Sequence, residues 1–450
     1  MLKKYIWVLL PGAIFFTSCK IGKEYVRPEM NLPERIERDT PSDSMTVADL
    51  KWWQLYTDPQ LRNLISEALE NNKDILKAEA VIREFNQGKK IAFASMLPSL
   101  KLELEGEHEN ANSSIDNTLG AKALFAWELD FWGKLRWANE GAKAKLLQTV
   151  EARRALQVSI IAQVVQTYYE LIALDREYSI VKHTTNARKE AVRLAKLRFE
   201  GGLTSEIALK QAEAELAKTE TLIPSLEYKI RVKESEMALI LGKFDSNSLQ
   251  RADKIEATPV HIPVGLPSEL LTRRPDIQEA ELAVKEANAN VGVAFTSMFP
   301  SISLTAEGGL ESGDLSQLLK SPIGLVGGGL LSPLFSFGKN RANWKRSEAK
   351  LEQAAISYEK KVLEAFKEVN IALISVRKSK EIRESRERSE AAARSYLELA
   401  NLQYINGVIS YMDVLDAQRS LLDAEISLNA ALLNEKMATS SLYKSLGGGW

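Results

Sequence analysis

Two segments of strictly alternating polarity, each headed by a proline, most constrain the fold of this 450-residue chain. One follows Pro98 and the other follows Pro300, and each comes at the end of a helical pattern. A period of two is typical of a β-strand with two different faces. The apolar positions are Leu100, Leu102, Leu104, Ile302, Leu304 and Ala306, and the polar positions are Lys101, Glu103, Glu105, Glu107, Ser301, Ser303, Thr305 and Glu307. This pattern alone does not distinguish a half-buried strand of a soluble protein from a membrane strand with one face towards lipid and the other towards water.

The same landmarks recur through both halves of the chain at a nearly constant offset. Pro98 and Pro300 are 202 residues apart, whereas Gly202 and Gly407 are 205 apart. A constant offset over a whole unit indicates internal duplication. We predict in each repeat a helix, two strands, a very long helix and a return helix. The first repeat spans residues 58–258, with strands at about 97–109 and 119–131, and the second spans 259–450, with strands at about 299–310 and 323–335.

The long helices carry the spacing of a coiled-coil seam. Residues 134–199 contain no proline, and a helix of that length reaches roughly 100 Å. Gly202 and Gly407 supply the positive φ that ends such a helix. Pro224 should kink or break the first return helix, whereas Asn429 at the matching position lets the second run on to about residue 446. The seam residues are Ile160, Val164, Thr167, Leu171, Leu174, Tyr178 and Val181 in the first copy, and Leu351, Ala355, Tyr358, Val362, Ala365, Val369, Ala372 and Val376 in the second.

The length and number of the strands indicate whether the sheet could belong to a membrane β-barrel. Each has around ten residues, the length that a tilted strand needs to cross a bilayer. Four strands cannot close a barrel, and an open edge in lipid leaves backbone groups unpaired. If these strands lie in a membrane, the barrel must be shared between chains. The aromatic residues Phe125, Trp127 and Phe131 are then either core residues or an interfacial girdle, and the strand context favours the girdle.

Composition excludes several kinds of protein. The 59 basic and 60 acidic residues balance, so the chain has no excess positive charge that would attract nucleic acid. One cysteine and three scattered histidines exclude an intramolecular disulfide and a Cys/His zinc cluster. The glycine-rich run at 324–329 lacks the Gly-Lys-Ser/Thr ending of a phosphate loop and falls where the duplication requires a strand. We expect neither an enzyme nor a cofactor or metal site.

The N-terminus predicts a lipoprotein. Residues 1–18 have a basic start, an apolar stretch and small residues before Cys19, so this cysteine would become the lipidated first residue of the mature chain. Phe16 stands where leucine is usual, and the alternative is an ordinary signal peptide with an incidental cysteine. Residues 19–57 contain several prolines and are expected to form an anchored, extended segment.

Two carboxylates at the start of the last helix are candidates for function. Asp413 and Asp416 are three residues apart and share a helix face. They could form an acid/base pair, a cation site or a gate. The local alternative is a capping box, in which Ser410 and Asp413 bind each other's backbone at the helix start. The first repeat has Ala208 and Gln211 at the matching positions, so only the second repeat carries these charges.

Several motifs together resemble the outer-membrane efflux factors, and more narrowly the lipoprotein, NodT/OprM-like branch of the TolC family. The resemblance covers essentially the whole mature chain. The motifs lie at Trp52-Trp53 with Asp58-Pro59-Gln60-Leu61, Leu97-Pro98-Ser99-Leu100, Trp127-Glu128-Leu129-Asp130 with Gly133-Lys134-Leu135-Arg136, Arg274-Pro275-Asp276-Ile277, and Tyr404, Gly407 and 413–419.

This resemblance implies a homotrimer in which long antiparallel coiled-coil helices form a periplasmic α-barrel and four strands per chain form a shared twelve-stranded transmembrane β-barrel. The implied function is that of a passive exit duct for drugs or other small molecules. Its partners would be a periplasmic membrane-fusion adaptor and an inner-membrane pump of the RND type. It would be lipid-anchored in the outer membrane and extend into the periplasm. A type I protein-secretion duct is the alternative, and the duplicated strands argue against a structural coiled-coil lipoprotein.

The resemblance also assigns roles to individual residues. It implies that Asp413 and Asp416 form acidic rings at the periplasmic gate and that Tyr404 holds the gate closed. Gly202 and Gly407 would mark the helix-tip turns to which the adaptor docks. An arginine is often found four residues before the first of the two aspartates, but this chain has Ile409 there, so the usual latch between helices is not expected in that form.

Overall fold

The computed structural model of the chain describes residues 20–30, 51–111, 114–244, 249–252, 255, 271–314, 316–332 and 337–448. The predicted signal peptide and Cys19 lie outside these residues. The fold is mainly α-helical and contains one small antiparallel sheet, as predicted. The helices are α1 (Trp52–Leu55), α2 (Pro59–Asn71), α3 (Lys73–Ala94), α4 (Lys134–Glu200), α5 (Glu206–Glu220), α6 (Leu222–Ile240), α7 (Pro275–Thr296), α8 (Lys339–Ile405) and α9 (Tyr411–Ser445).

The first helical stretch is interrupted at Asn72, which the sequence pattern did not predict. Asn72 has extended backbone angles (φ −59°, ψ 128°) between α2 and α3. Its Oδ1 accepts hydrogen bonds from the backbone N–H groups of Asp74 at 3.0 Å and Ile75 at 3.3 Å. Its Nδ2 donates to the carbonyl oxygen of Ile240 at 2.8 Å. Asn72 therefore caps α3 and ties its start to the end of α6.

The two return helices differ as predicted. In the first repeat the return helix is split into α5 and α6 around Thr221, because Pro224 has no N–H to donate to the preceding turn. In the second repeat α9 runs from Tyr411 to Ser445 without a break. Asn429 is buried within it, and its Nδ2 donates to the carbonyl oxygen of Ala173 at 2.7 Å.

The sheet has four antiparallel strands in the order β1-β2-β3-β4, which are β1 (Ser99–Ala111), β2 (Ser114–Leu129), β3 (Ser301–Ser312) and β4 (Pro322–Leu331). Their register places Leu102 opposite Ala123 and Trp127 opposite Leu304. The predicted alternation is confirmed, since the apolar positions of neighbouring strands share one face. The glycine-rich run at 324–329 lies within β4, as the duplication required.

Strand β2 begins earlier and ends earlier than the sequence predicts. Ala111 pairs with Ser114, so the strand starts at 114 instead of 119. It ends at Leu129 because the carboxylate of Asp130 accepts hydrogen bonds from the backbone N–H groups of Leu135 at 2.9 Å and Arg136 at 3.0 Å. Phe131 consequently lies beyond the strand, and its side chain is exposed. In the second repeat β4 ends at Leu331 rather than near 335.

The chain divides into two compact units, and each takes segments from both sequence repeats. The first unit contains Met1–Met30, Glu79–Ala152 and Asp276–Lys361, and the second contains Asn31–Ala78, Arg153–Pro275 and Val362–Trp450. In the first unit the Trp137 ring is buried, and Gly292 allows α7 to approach it, because a Cβ there would lie 2.4 Å from the ring. In the second unit the buried seam residues of α4, among them Val164 and Leu171, form the core with residues of α2, α8 and α9.

Within the described part of the chain, no helix combines the length and the apolar character needed to cross a bilayer.

Candidate functional site

The turn between α4 and α5 and the turn between α8 and α9 are repeat-related, and we call residues 197–212 the first tip and 402–417 the second tip. At the first tip Gly202 has φ +73°. Its N–H donates to the carbonyl oxygen of Phe199 at 2.9 Å, and the N–H of Leu203 donates to that of Arg198 at 2.8 Å. These two bonds form a Schellman motif, which requires the positive φ that glycine tolerates.

The second tip has the same backbone geometry. Gly407 also has φ +73°, and its N–H donates to the carbonyl oxygen of Tyr404 at 3.0 Å while the N–H of Val408 donates to that of Gln403 at 2.9 Å. The sequence prediction that Gly202 and Gly407 end the long helices is therefore confirmed. Their part in docking a partner stays a prediction.

Both tips expose apolar side chains. Leu203 and Val408 follow the two glycines directly and are exposed by 72% and 70%. The next repeat-related pair, Ile207 and Met412, is exposed by 67% and 47%. Four exposed apolar side chains on two matching turns form a surface that another protein could cover.

Asp413 caps α9, which is the local alternative that the sequence raised. Its carboxylate accepts hydrogen bonds from the backbone N–H of Ser410 at 2.9 Å and from the Ser410 hydroxyl at 2.7 Å. These two bonds, led by the one from the Ser410 hydroxyl, lower the pKa of Asp413. Asp413 is nevertheless exposed and stays ionised at neutral pH, so its role as a cap leaves its charge available. Asp416 lies one turn further on α9 and is also exposed.

Tyr404 belongs to the second tip and contacts Arg198 of the first tip. Its ring centroid is 5.6 Å from that of Tyr411 and 4.7 Å from the guanidinium carbon of Arg198. Tyr404 and Ile409 pack at the edge of an apolar cluster that contains Leu209, Val414 and Leu415. The ring of Tyr404 therefore helps to hold the end of α8 against the end of α4.

A charge cluster with buried Arg188 and Glu215 and exposed Arg419 joins the helices that carry the tips, and no sequence motif predicted it. The carboxylate of Glu215 on α5 accepts hydrogen bonds from Arg419 on α9 and lies 3.2 Å from Arg188 on α4. Arg188 also donates to the hydroxyl of Thr219 and, at 3.0 Å, to the carbonyl oxygen of Glu215. The hydrogen bond from Arg419 is the main reason why the pKa of Glu215 is lowered.

The sequence did contain a signal for this cluster. The repeat-related positions of Arg188, Glu215 and Arg419 are Ala393, Ser420 and Ala214. Charges that occur in only one copy of a duplicated unit mark places where the copies differ in their contacts. Neither spacing nor periodicity, however, could show that these three charges meet.

The residues that follow Cys19 are held tightly by the first unit. The ammonium of Lys20 lies 3.4 Å from the centroid of the Trp137 ring and 2.6 Å from the carboxylate of Glu140. The indole N–H of Trp137 donates to the carbonyl oxygen of Ile21 at 2.8 Å. Arg27 is 2.6 Å from the buried carboxylate of Glu281. The segment is therefore bound to the helices next to it along most of its described length.

The sheet presents two exposed faces of opposite character. On the apolar face Leu100, Leu102 and Leu104 are exposed by 74–75%. Phe125 and Trp127 are half-buried on the same face, and the indole N–H of Trp127 donates to the carbonyl oxygen of Met96 at 3.0 Å. A row of exposed leucines on one face of a sheet is typical of a surface that contacts lipid or another protein.

Long antiparallel helices, a sheet with one uncovered apolar face and repeat-related helix tips are features of an outer-membrane channel protein. The model of the outer membrane efflux protein family matches residues 64–243 and 266–448, and the chain belongs to this family. It is 30% identical to the cation efflux system protein CusC of Escherichia coli (strain K12), over 97% of this chain and 98% of that protein.

Two further comparisons agree with this assignment. The chain is 30% identical to the probable outer membrane lipoprotein SilC of Salmonella typhimurium, over 96% of this chain and 95% of that protein. It also matches the structure of the outer-membrane channel OprN with a TM-score of 0.90 and 28% identity, over 96% of this chain and all of that one. The predicted family, fold class, outer-membrane location and function as an efflux exit duct are thereby confirmed.

Proposed function

We propose that three copies of this chain form one duct, in which twelve strands close a barrel in the outer membrane. The observation that carries the proposal is the sheet itself. Its apolar face is uncovered, and β1 and β4 are its two edges. Edge strands in lipid leave backbone N–H and C=O groups unpaired, so β1 of one chain must pair with β4 of the next.

Disulfide cross-linking tests this pairing. In a Cys19→Ser background, one cysteine is placed on β1 at Leu102 and a second is moved along the apolar positions of β4, including Val326. We expect covalent trimers for at least one placement. A cysteine pair at Ala121 and Leu310, which face each other within one sheet, is the matched control and should give only monomers. If every β1–β4 placement also gives only monomers, the shared barrel is wrong.

We propose that the tips form the periplasmic end of the duct. Three second tips would bring six carboxylates from Asp413 and Asp416 around one axis, and Tyr404 would hold this mouth closed. The exposed apolar residues beside Gly202 and Gly407 would bind a membrane-fusion adaptor, which links the duct to an RND-type pump. The duct is passive and not an enzyme, and it conducts drugs or other small molecules that the pump selects.

We propose that Cys19 carries the lipid anchor. The bound segment that begins at Lys20 would then hold the lipid next to α4. Each buried methylene contributes roughly 0.8 kcal/mol, so one chain aids attachment without being the only hold. When cells grow with a radioactive fatty acid, the wild-type protein should become labelled and Cys19→Ser should not. Label that remains in the variant would refute this role.

A further inference from the structure

We infer that Lys122 is a selectivity-determining residue of the duct, because it neutralises carboxylates that converge on the polar face of the sheet. Its ammonium lies 2.6 Å from Glu311, 3.4 Å from Glu105 and 3.9 Å from Glu307. These partners belong to β3, β1 and β3 respectively, so Lys122 on β2 connects three strands. The inference rests on the proposed trimeric barrel, in which this face lines the water-filled interior.

The backbone is shaped for this contact. Glu105, Gly120 and Glu311 lie opposite one another in the register of β1, β2 and β3. A Cβ at Gly120 would lie only 3.4 Å from Cε of Lys122. The missing side chain at Gly120 therefore leaves the gap through which Lys122 extends to reach the two glutamates.

The charges of the cluster do not balance. Three carboxylates and one ammonium leave a net charge of minus two per chain, and each of the three carboxylates is partly open to solvent, with 30–42% of its side chain exposed. The ammonium occupies the position at which a cation would be attracted most strongly. Without the Lys122 ammonium, the three carboxylates that now surround it would repel one another and would bind multivalent cations from the solution.

Lys101 provides a matched control on the same face. It lies on β1, its side chain is exposed, and no ion pair of Lys101 is found among the described residues. Replacing either lysine removes one positive charge per chain from the same wall. Only the replacement of Lys122 releases converging carboxylates.

The experiment measures Ca²⁺ block and K⁺/Cl⁻ selectivity in planar bilayers. All variants are made in an Asp413→Ala, Asp416→Ala background, so that the tip carboxylates do not contribute. We expect Lys122→Met to lower the Ca²⁺ concentration for half-block by on the order of tenfold relative to Lys101→Met. Lys122→Arg should behave as the parent does, because it retains the charge.

Two further variants keep the inference testable if Lys122→Met does not assemble. Glu311→Gln retains Lys122 and should shift selectivity in the opposite direction, towards anions. Lys122→Met combined with Glu311→Gln restores the net charge and should return block towards the parent. Equal Ca²⁺ block for Lys122→Met and Lys101→Met, or no shift in Glu311→Gln, would overturn the inference. If the parent protein itself forms no pore, the proposed barrel is refuted instead.

Discussion

The two tips have the same backbone and different chemistry. Gly202 and Gly407 share a φ of +73° and the same pair of Schellman hydrogen bonds. The first tip nevertheless carries Ala208 where the second carries Asp413, and Phe199 where the second carries Tyr404. A duplicated unit can thus keep its backbone geometry through glycine and seam positions while other side chains at its tips diverge. The charged and hydroxyl groups of the proposed gate belong to the second copy alone.

The largest expected effect comes from removing Glu215, whose carboxylate links the first repeat to Arg419 of the second. We expect Glu215→Ala to lower the free energy of unfolding by about 3 to 5 kcal/mol, because it removes the carboxylate that is ion-paired with the buried Arg188 and releases Arg419. Urea unfolding of the purified protein measures this change. Glu213→Ala on the same helix is the matched control, since its pair with Lys210 is exposed and contributes about 0 to 1 kcal/mol.

The pH dependence of stability sharpens the same prediction. Because the pKa of Glu215 is lower in the folded protein, its contribution is present above the unfolded pKa of about 4.3. It is lost as the pH falls through the lower, folded-state pKa. Glu215→Ala should therefore lose less stability than the wild type in that acidic range. If Glu215→Ala and Glu213→Ala have the same free energy of unfolding, the cluster does not join the helices.

The second prediction concerns a feature that both copies should share. Leu102 and Leu304 are repeat-related and lie on the apolar face of the sheet. An arginine at either position should cost on the order of 2 to 4 kcal/mol near the bilayer midplane. Folding into lipid vesicles measures the cost. Glu103→Arg and Thr305→Arg, on the opposite face, are the controls and should be tolerated. If both faces tolerate arginine equally, the leucines do not face lipid.

The third prediction concerns the two carboxylates that only the second tip carries. The pair Asp413→Ala and Asp416→Ala should weaken cation selectivity and the block by multivalent cations from the periplasmic side, because it removes the proposed carboxylate ring. Trimer assembly should be unchanged. Gln211→Asp, which adds one of these charges to the first tip at a position that is only partly buried, tests whether position matters as well as charge. A double-alanine variant with wild-type selectivity would leave Asp413 as a helix cap only.

The smallest expected effect comes from one hydroxyl group. Tyr404→Phe makes the second tip match Phe199 of the first. We expect a higher single-channel conductance, because the hydroxyl would contribute a hydrogen bond of about 1 kcal/mol per chain to the closed mouth. The contacts of its ring with Tyr411 and Arg198 should survive the change. Unchanged conductance would mean that Tyr404 acts through its ring alone.

Local patterns predicted most of the fold. The period of two gave the strand faces correctly, the absence of proline gave the extent of α4, and Pro224 gave the break between α5 and α6. The break at Asn72 was not predicted because an asparagine inside a helical pattern can also continue the helix, and its long-range hydrogen bond to the carbonyl oxygen of Ile240 leaves no sequence pattern. The end of β2 was placed too late because Asp130 was read as part of the alternation, whereas it caps α4.

The candidate site was less predictable from the sequence. Asp413 and Asp416 became candidates because they share a helix face and are absent from the first repeat, whereas Tyr404 was named only through the resemblance to the family. The cluster of Arg188, Glu215 and Arg419 spans three helices, and its members are 27 and 204 residues apart. Contacts at such separations leave no periodic trace, so only the folded chain brings these residues together.

The oligomeric state of the purified protein tests the central claim most directly. The chain contributes a four-stranded sheet with two open edges, and a closed barrel of twelve strands requires three chains. Native mass spectrometry in mild detergent, followed by conductance measurement on the same sample in planar bilayers, should show a conducting trimer. A monomer that conducts as well as the bulk preparation would contradict the shared barrel.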